Sequence, residues 1–194
     1  MTDEIIRCWD TKNPLYLKYH DEEWGVPVHD DQKLFEMLIL EGFQAGLTWE
    51  LILKRRQALK KAFDNFNPDK IANYTPEDLV HILENPEVIR NRLKIQAVVI
   101  NAQQFSKIRE EFGSFDKYIW QFVQSKPIIH KYKNWKEMPA QTQESQNMSN
   151  ELKKNGFKFV GPTICYAFMQ AVGMVNDHLV TCFRHQEIND NRKQ

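Results

Sequence analysis

The chain has 194 residues, 42% hydrophobic and 27% charged, which suits one folded domain, or one domain with a small lobe. Lys+Arg 26 balance Asp+Glu 26, so no net charge drives the chain toward nucleic acid. Three cysteines, an odd number, argue against a disulfide framework and for a reducing compartment. Met1-Thr2-Asp3-Glu4 opens no apolar leader, and no stretch nears the roughly 18 apolar residues of a spanning helix. The expected location is cytoplasmic, with no membrane partner.

The chain reads as all-α. Asp30 and Asp31 precede a helix over 33–41 with Leu34, Met37 and Leu38 at helical spacing. Thr48 caps a second helix carrying Trp49, Ile52, Leu53 and Leu59. Asn67-Pro68 and Thr75-Pro76 each pair a cap with proline at the first helical position. A long helix runs over 91–111 and stops at Gly113. Helices over 115–124 and 145–155 follow, the second closed by Gly156, and a last main helix runs over 162–171 to Gly173. The polar segment 141–150 is a loop candidate. No stretch alternates as an exposed strand does. The basic runs Lys54-Arg55-Arg56, Arg90 to Lys94, and Lys153-Lys154 with Lys158 read mostly as solvated helix faces.

Cys8, His20, His178 and Cys182 are the ligand types that zinc prefers, and four of them suffice for a closed tetrahedral site. His178 and Cys182 are four apart, so on a helix they would share a face. Such a site would fasten the two ends of the chain together. The spacing is not that of a zinc finger, and two buried or surface thiols with two solvated histidines explain the residues equally well. A second signal is Asn155-Gly156-Phe157-Lys158-Phe159-Val160-Gly161-Pro162-Thr163, a short turn between helices with Gly161 at its sharpest point. Backbone N–H groups there, with the positive end of the next helix and Lys153, Lys154 and Lys158 beside it, suit a phosphate. An ordinary connection whose glycine relieves strain fits the isolated hairpin as well.

The hairpin followed by Val175-Asn176-Asp177-His178 resembles the helix-hairpin-helix superfamily of DNA glycosylases. Cys8-Trp9, Tyr16 through Gly25, Leu34-Phe35-Glu36-Met37, and Leu40-Glu41-Gly42-Phe43-Gln44-Ala45-Gly46-Leu47-Thr48-Trp49 narrow it. Together these motifs resemble the 3-methyladenine DNA glycosylase I family of constitutive bacterial type. They occur in order from residue 8 to 182, nearly the whole chain. The resemblance implies a helix-hairpin-helix glycosylase architecture: one domain over 1–194, with two helical lobes. The ends, 1–30 and 174–194, would be clasped by a structural Zn2+ on Cys8, His20, His178 and Cys182. His185 does not match a ligand position.

The implied activity is DNA repair: flipping out 3-methyladenine from alkylated duplex DNA and removing it by hydrolysis, leaving an abasic site. The implied partner is double-stranded DNA bearing alkylated bases, bound by a monomer with no nucleotide cofactor. Tyr16, Tyr19 and Trp49 fall to the substrate pocket, while Trp9 and Trp24 stay divided between pocket and core or clasp. Stacking contributes roughly 1–3 kcal/mol per base, and a base alkylated at N3 is cationic, which favours electron-rich ring faces. Glu41 is assigned base recognition, with a catalytic role left open. Lys158, Val160, Gly161 and Thr163 form the phosphate-binding hairpin.

The superfamily's usual catalytic aspartate position holds Asn176, with Asp177 displaced by one, as in the resembled family. Thr163 stands where bifunctional relatives carry a nucleophilic lysine, so the resemblance implies a monofunctional enzyme without lyase activity. Cys165 reads as a core residue, and Phe43 departs from the expected polar residue near the pocket mouth. The competing reading is a zinc-clasped module that binds duplex without catalysis; the aromatic cluster and Glu41 count against it.

Overall fold

The computed structural model describes residues 5–190; the polar start 1–4 and residues 191–194 lie outside it. The helices begin where short polar side chains take up free backbone N–H groups. Helix α1 spans Pro14–Glu22, α2 Asp31–Gln44 and α3 Trp49–Ala62, with Asn13, Asp30 and Thr48 as their capping residues. Two short helices follow, α4 Pro68–Ile71 and α5 Pro76–Glu84, capped by Asn67 and Thr75. Helix α6, Arg92–Phe112, is capped by Asn91 and ends on Gly113 in the left-handed region. Then come α7 Phe115–Trp120, α8 Gln143–Lys154, α9 Pro162–Ala171 and α10 Phe183–Asp190.

Helix α2 forms the centre. Every residue from Leu34 to Phe43 is buried, the signature of a helix enclosed on all sides. It packs on α3, α6, α7 and α9. Helix α8 lies against α9, and α6 against α4, α5 and α7. Asp31 joins distant starts by accepting hydrogen bonds from the backbone N–H of Phe115 and Asp116.

Several expectations need correction. The loop candidate 141–150 is largely helix α8: its polarity is that of an amphipathic element, with Ser145, Met148, Ser149 and Leu152 buried. The expected helix over 115–124 splits into α7 and a 3-10 turn, Gln121–Val123. Helix α1 carries the Asn-Pro start signal but buries only Tyr19 and His20, so it shows little apolar periodicity. A two-residue parallel ladder, β1 Ile128–Ile129 with β2 Val175–Asn176, holds the segment after α7 against the C-terminal region. Two members of the basic runs are not solvated: Arg56 pairs with Glu23 and Glu36, and Lys94 is buried.

The two halves meet closely at Gly173, where φ is +67°. The strand of chain over residues 25–28 crosses the end of α9, with Gly25 N–H donating to the Gln170 carbonyl and Val28 N–H to that of Val172. A Cβ on Gly173 would sit 2.3 Å from the Val26 carbonyl carbon. Gly46 has a similar φ, +74°, with nothing within 4 Å. Gly46→Ala should therefore cost about 1–2 kcal/mol from the backbone alone. Gly173→Ala should cost roughly 4 kcal/mol or more, and urea denaturation of the two variants side by side measures the difference.

Candidate functional site

Helices α1, α2, α3 and α9 surround a cavity of about 170 Å³. It is open to solvent on one side, and a space of this size between ring walls suits one flat aromatic ring system. Its walls are aromatic: Trp9, Tyr16, Tyr19, Trp24, Trp49 and Trp135. Trp9 lies 4.8 Å from Tyr16 and 4.9 Å from Trp24, and Tyr19 lies 5.1 Å from Trp49, centroid to centroid. The polar lining is Glu41, Gln44 and Gln170. A wider cleft of about 280 Å³ shares Glu41, Gln44 and Ala167 and opens toward Gly46, Leu47 and Thr163.

Two buried polar atoms in this wall lack partners among the described residues, Glu41 Oε2 and Trp49 Nε1. Glu41 is 3% exposed. Burial pushes its carboxyl up to about 8, because the charged form has no compensating contact. A buried donor and a buried acceptor left open in one aromatic cavity are costly to the empty protein. They suit a planar ligand carrying both donors and acceptors at its edge.

The four end residues converge beside this cavity. The ligating atoms of Cys8, His20, His178 and Cys182 lie within 4.8 Å of one another, all buried, and could hold a metal ion. Cys8 Sγ is 3.4 Å from His178 Nδ1, and Cys182 Sγ is 3.5 Å from both His178 Nδ1 and His20 Nε2. The opposite ring nitrogens are already fixed: His20 Nδ1 pairs with Asp21 Oδ1 at 2.7 Å and His178 Nε2 with the Trp24 carbonyl at 2.9 Å. Such outer partners set tautomer and ring orientation for a metal. The bond to Cys8, helped by His178 and His20, drives the Cys182 thiol well below its usual range and the Cys8 thiol up. His178 and Cys182 do not share a helix; both precede α10. His185 turns away and binds the His130 carbonyl.

The cluster and the cavity share a wall. The Trp9 ring packs 4.9 Å from His20, and the Trp24 ring 4.6 Å from His178. Trp9 and Trp24 therefore both pack on the cluster and line the cavity. Trp135, absent from the sequence expectations, donates its indole N–H to the Cys8 carbonyl at 2.9 Å. It sits in a polar loop with no periodicity to flag it.

The α8–α9 turn borders the open side. Asn101 of α6 grips Lys158 on both faces: Lys158 N–H donates to Asn101 Oδ1, and Asn101 Nδ2 donates to the Lys158 carbonyl. The sharp turn is not at Gly161, whose φ is −63°, but at Phe159, φ +54°. A Cβ on Gly161 would meet nothing within 4 Å, so the fold itself does not require glycine there. No side chain caps α9, and the exposed Lys158 and Thr163 flank its start. Phe43 lies in the core, 6.1 Å from Phe63, rather than at the cavity mouth. Cys165 is fully buried.

The methyladenine glycosylase family model matches residues 9–185. DNA-3-methyladenine glycosylase 1 of Escherichia coli (strain K12) is 46% identical over 177 residues, 91% of this chain and 95% of that protein. DNA-3-methyladenine glycosylase of Haemophilus influenzae is 44% identical, with coverage of 91% and 96%. A crystal structure of 3-methyladenine DNA glycosylase I matches with a TM-score of 0.90 at 46% identity, covering 92% of this chain and 98% of that one. The Staphylococcus aureus 3-methyladenine DNA glycosylase I, in a structure devoted to 3-methyladenine recognition, matches at 0.87 and 38% identity, covering 89% and 92%.

The raised carboxyl of Glu41 gives a signed expectation. A carboxyl that holds its proton more tightly when folded contributes full stability below its ordinary range near 4.5. That contribution is lost as pH rises toward about 8. Glu41→Gln removes the dependence. Its thermal midpoint should match the parent near pH 4 and exceed it at pH 8.5, by an amount corresponding to roughly 5 kcal/mol or less. Thermal melts across that range measure the gap.

Proposed function

The chain belongs to the methyladenine glycosylase family, and from that premise we propose that it removes 3-methyladenine from alkylated DNA. The observation that carries the reading is the aromatic cavity with Glu41 Oε2 and the Trp49 indole N–H unpartnered. A base within duplex DNA is out of reach, so it must be extruded at a cost of a few kcal/mol. The Trp and Tyr walls offset that cost by stacking, and a cationic base gains more from them than a neutral one. Glu41 accepts from the exocyclic amine. It ionises as the cation arrives, because the positive charge supplies the contact that burial denied it.

N3-alkylation makes the purine a good leaving group. The glycosidic electron pair goes to the base, which departs neutral; water adds to the cationic sugar carbon and loses one proton to solvent, leaving an abasic site. Binding and extrusion select the target, and no superfamily aspartate is needed. Asn176 is committed to the His185 carbonyl and Asn189. Thr163 offers no amine for a Schiff base, which makes the enzyme monofunctional.

The α8–α9 turn acts as the helix-hairpin-helix phosphate clamp, with Val160, Gly161 and Thr163 presenting backbone N–H groups and Lys158 its side-chain charge to the duplex backbone. The open space at Gly161 supports this, since a strand of DNA can approach where a side chain would intervene. The whole chain acts as one glycosylase domain of two lobes, as a monomer. Cys8, His20, His178 and Cys182 would hold a Zn2+ ion that fastens the two ends: two thiols and two imidazoles are the donor set zinc prefers, and their ligating atoms lie within 4.8 Å of one another. The ion's contribution would be to folding and cavity shape.

Methylated duplex DNA incubated with the protein should release 3-methyladenine, identified by chromatography. Glu41→Gln should reduce the rate roughly 10- to 150-fold, the worth of a hydrogen bond to a charged group. Duplex binding without any base release would leave a non-catalytic module, and strand cleavage with borohydride trapping would contradict the monofunctional assignment. Cys182→Ser should lower both bound zinc and thermal midpoint; full metal content in that variant would show the ligand set to be wrong.

A further inference from the structure

We propose that Gln170 sets the cavity's preference for a purine amino group over a purine carbonyl, and that buried Asp177 acts as a positioning residue by locking the Gln170 amide. This rests on the reading of the cavity as a base pocket. Gln170, on α9, lines the cavity with Met138 and Glu41. Its Nε2 donates to Asp177 Oδ2 at 2.7 Å and to Met138 Sδ at 3.2 Å. Both amide hydrogens are thereby committed. Oε1 makes no hydrogen bond among the described residues and remains the open acceptor of the group.

The orientation follows from chemistry. A carboxylate only accepts, so a turned amide would set two oxygens against each other at hydrogen-bond distance. Asp177 cannot turn to relieve this. It is 1% exposed, with Oδ1 taken by His130 Nδ1 at 2.5 Å and Oδ2 shared with the Tyr166 hydroxyl at 2.5 Å. His130 follows β1 and Asp177 follows β2, so the parallel ladder holds donor and acceptor in place. The carboxylate that lies one position from the superfamily's catalytic site is thus spent on fixing a neighbour.

A locked acceptor has a use that Glu41 alone cannot serve. A carboxyl that can carry a proton donates to a carbonyl as readily as its ionised form accepts from an amine. The Gln170 oxygen can only accept, so it pairs with an exocyclic amine and opposes an exocyclic carbonyl. A site built to pair one polar group discriminates strongly against the analogue that leaves it unpaired.

Quenching of tryptophan fluorescence, with free 3-methyladenine and 3-methylhypoxanthine as probes, tests this, because the pair exchanges the amino group for a carbonyl. The parent protein should prefer 3-methyladenine at least tenfold. Gln170→Met should bring the ratio toward unity. Asp177→Asn, which lets the amide turn, should do so by strengthening 3-methylhypoxanthine binding. Loss of affinity for both probes with an unchanged ratio would mean a merely structural role and overturn the proposal. Asp177 adjoins His178, so metal content is measured in each variant, and Gln170→Met decides the matter if Asp177→Asn loses its metal. Base release from methylated duplex by the parent protein, run alongside, separates the two readings. No release overturns the glycosylase assignment, whereas release with an unaltered probe ratio overturns only the role of Gln170.

Discussion

Everything at the site depends on the meeting of two segments that are far apart along the chain. Cys8 and His20 come to His178 and Cys182, and the indoles of Trp9 and Trp24 pack directly on the two imidazoles. The cavity walls are therefore extensions of the ligand cluster. Rings held by neighbours on several sides lose little further freedom when a ligand stacks on them. Gly173 supports the same junction, since only a residue without a side chain admits residues 25–28 over the end of α9.

The second constraint is polar. Protein interiors rarely leave a buried donor or acceptor unmet, and around this cavity the exceptions and the satisfied groups are sharply divided. Asp177, Asn101 and Asn176 have their side-chain atoms engaged and hold backbone or neighbours in place. Glu41 Oε2 and Trp49 Nε1, on two residues that line the cavity, have no partner among the described residues. Two of the four buried side-chain atoms without a partner among the described residues belong to this wall, the others being Arg109 Nε and Arg184 Nε, and polar atoms left open in a cavity make it selective rather than merely sticky.

Much of the helical frame was legible because each start carries a local signal: Thr48, Asn67-Pro68, Thr75-Pro76 and Asn91 all cap helices, and Gly113 ends one in the left-handed region. Helix α1 escaped because it buries so little that no apolar stripe betrays it. Glu41 stands out in the sequence only through the family resemblance, since a glutamate near a helix end is ordinarily exposed, and its burial follows from the centrality of α2. Trp135, Gln170 and Asn101 do not stand out at all. Trp135 and Asn101 owe their places to contacts across more than fifty residues, and Gln170 to side chains brought beside the last turn of α9, and no short-range pattern encodes that. Gly161 was noticed for a strain that belongs to Phe159.

The span of the four-residue cluster has a consequence for assembly. Cys8 and His178 are separated by 170 positions, among the longest loops this chain can close. Contacts of that kind return free energy only after the intervening chain has been ordered. The helical core can form from nearer pairings, such as α2 with α3 and α8 with α9. Tyr16, Tyr19 and Trp49 are near neighbours along the chain, whereas Trp135 and Gln170 reach the cavity from distant segments, so the wall is complete only when both ends of the chain have come together.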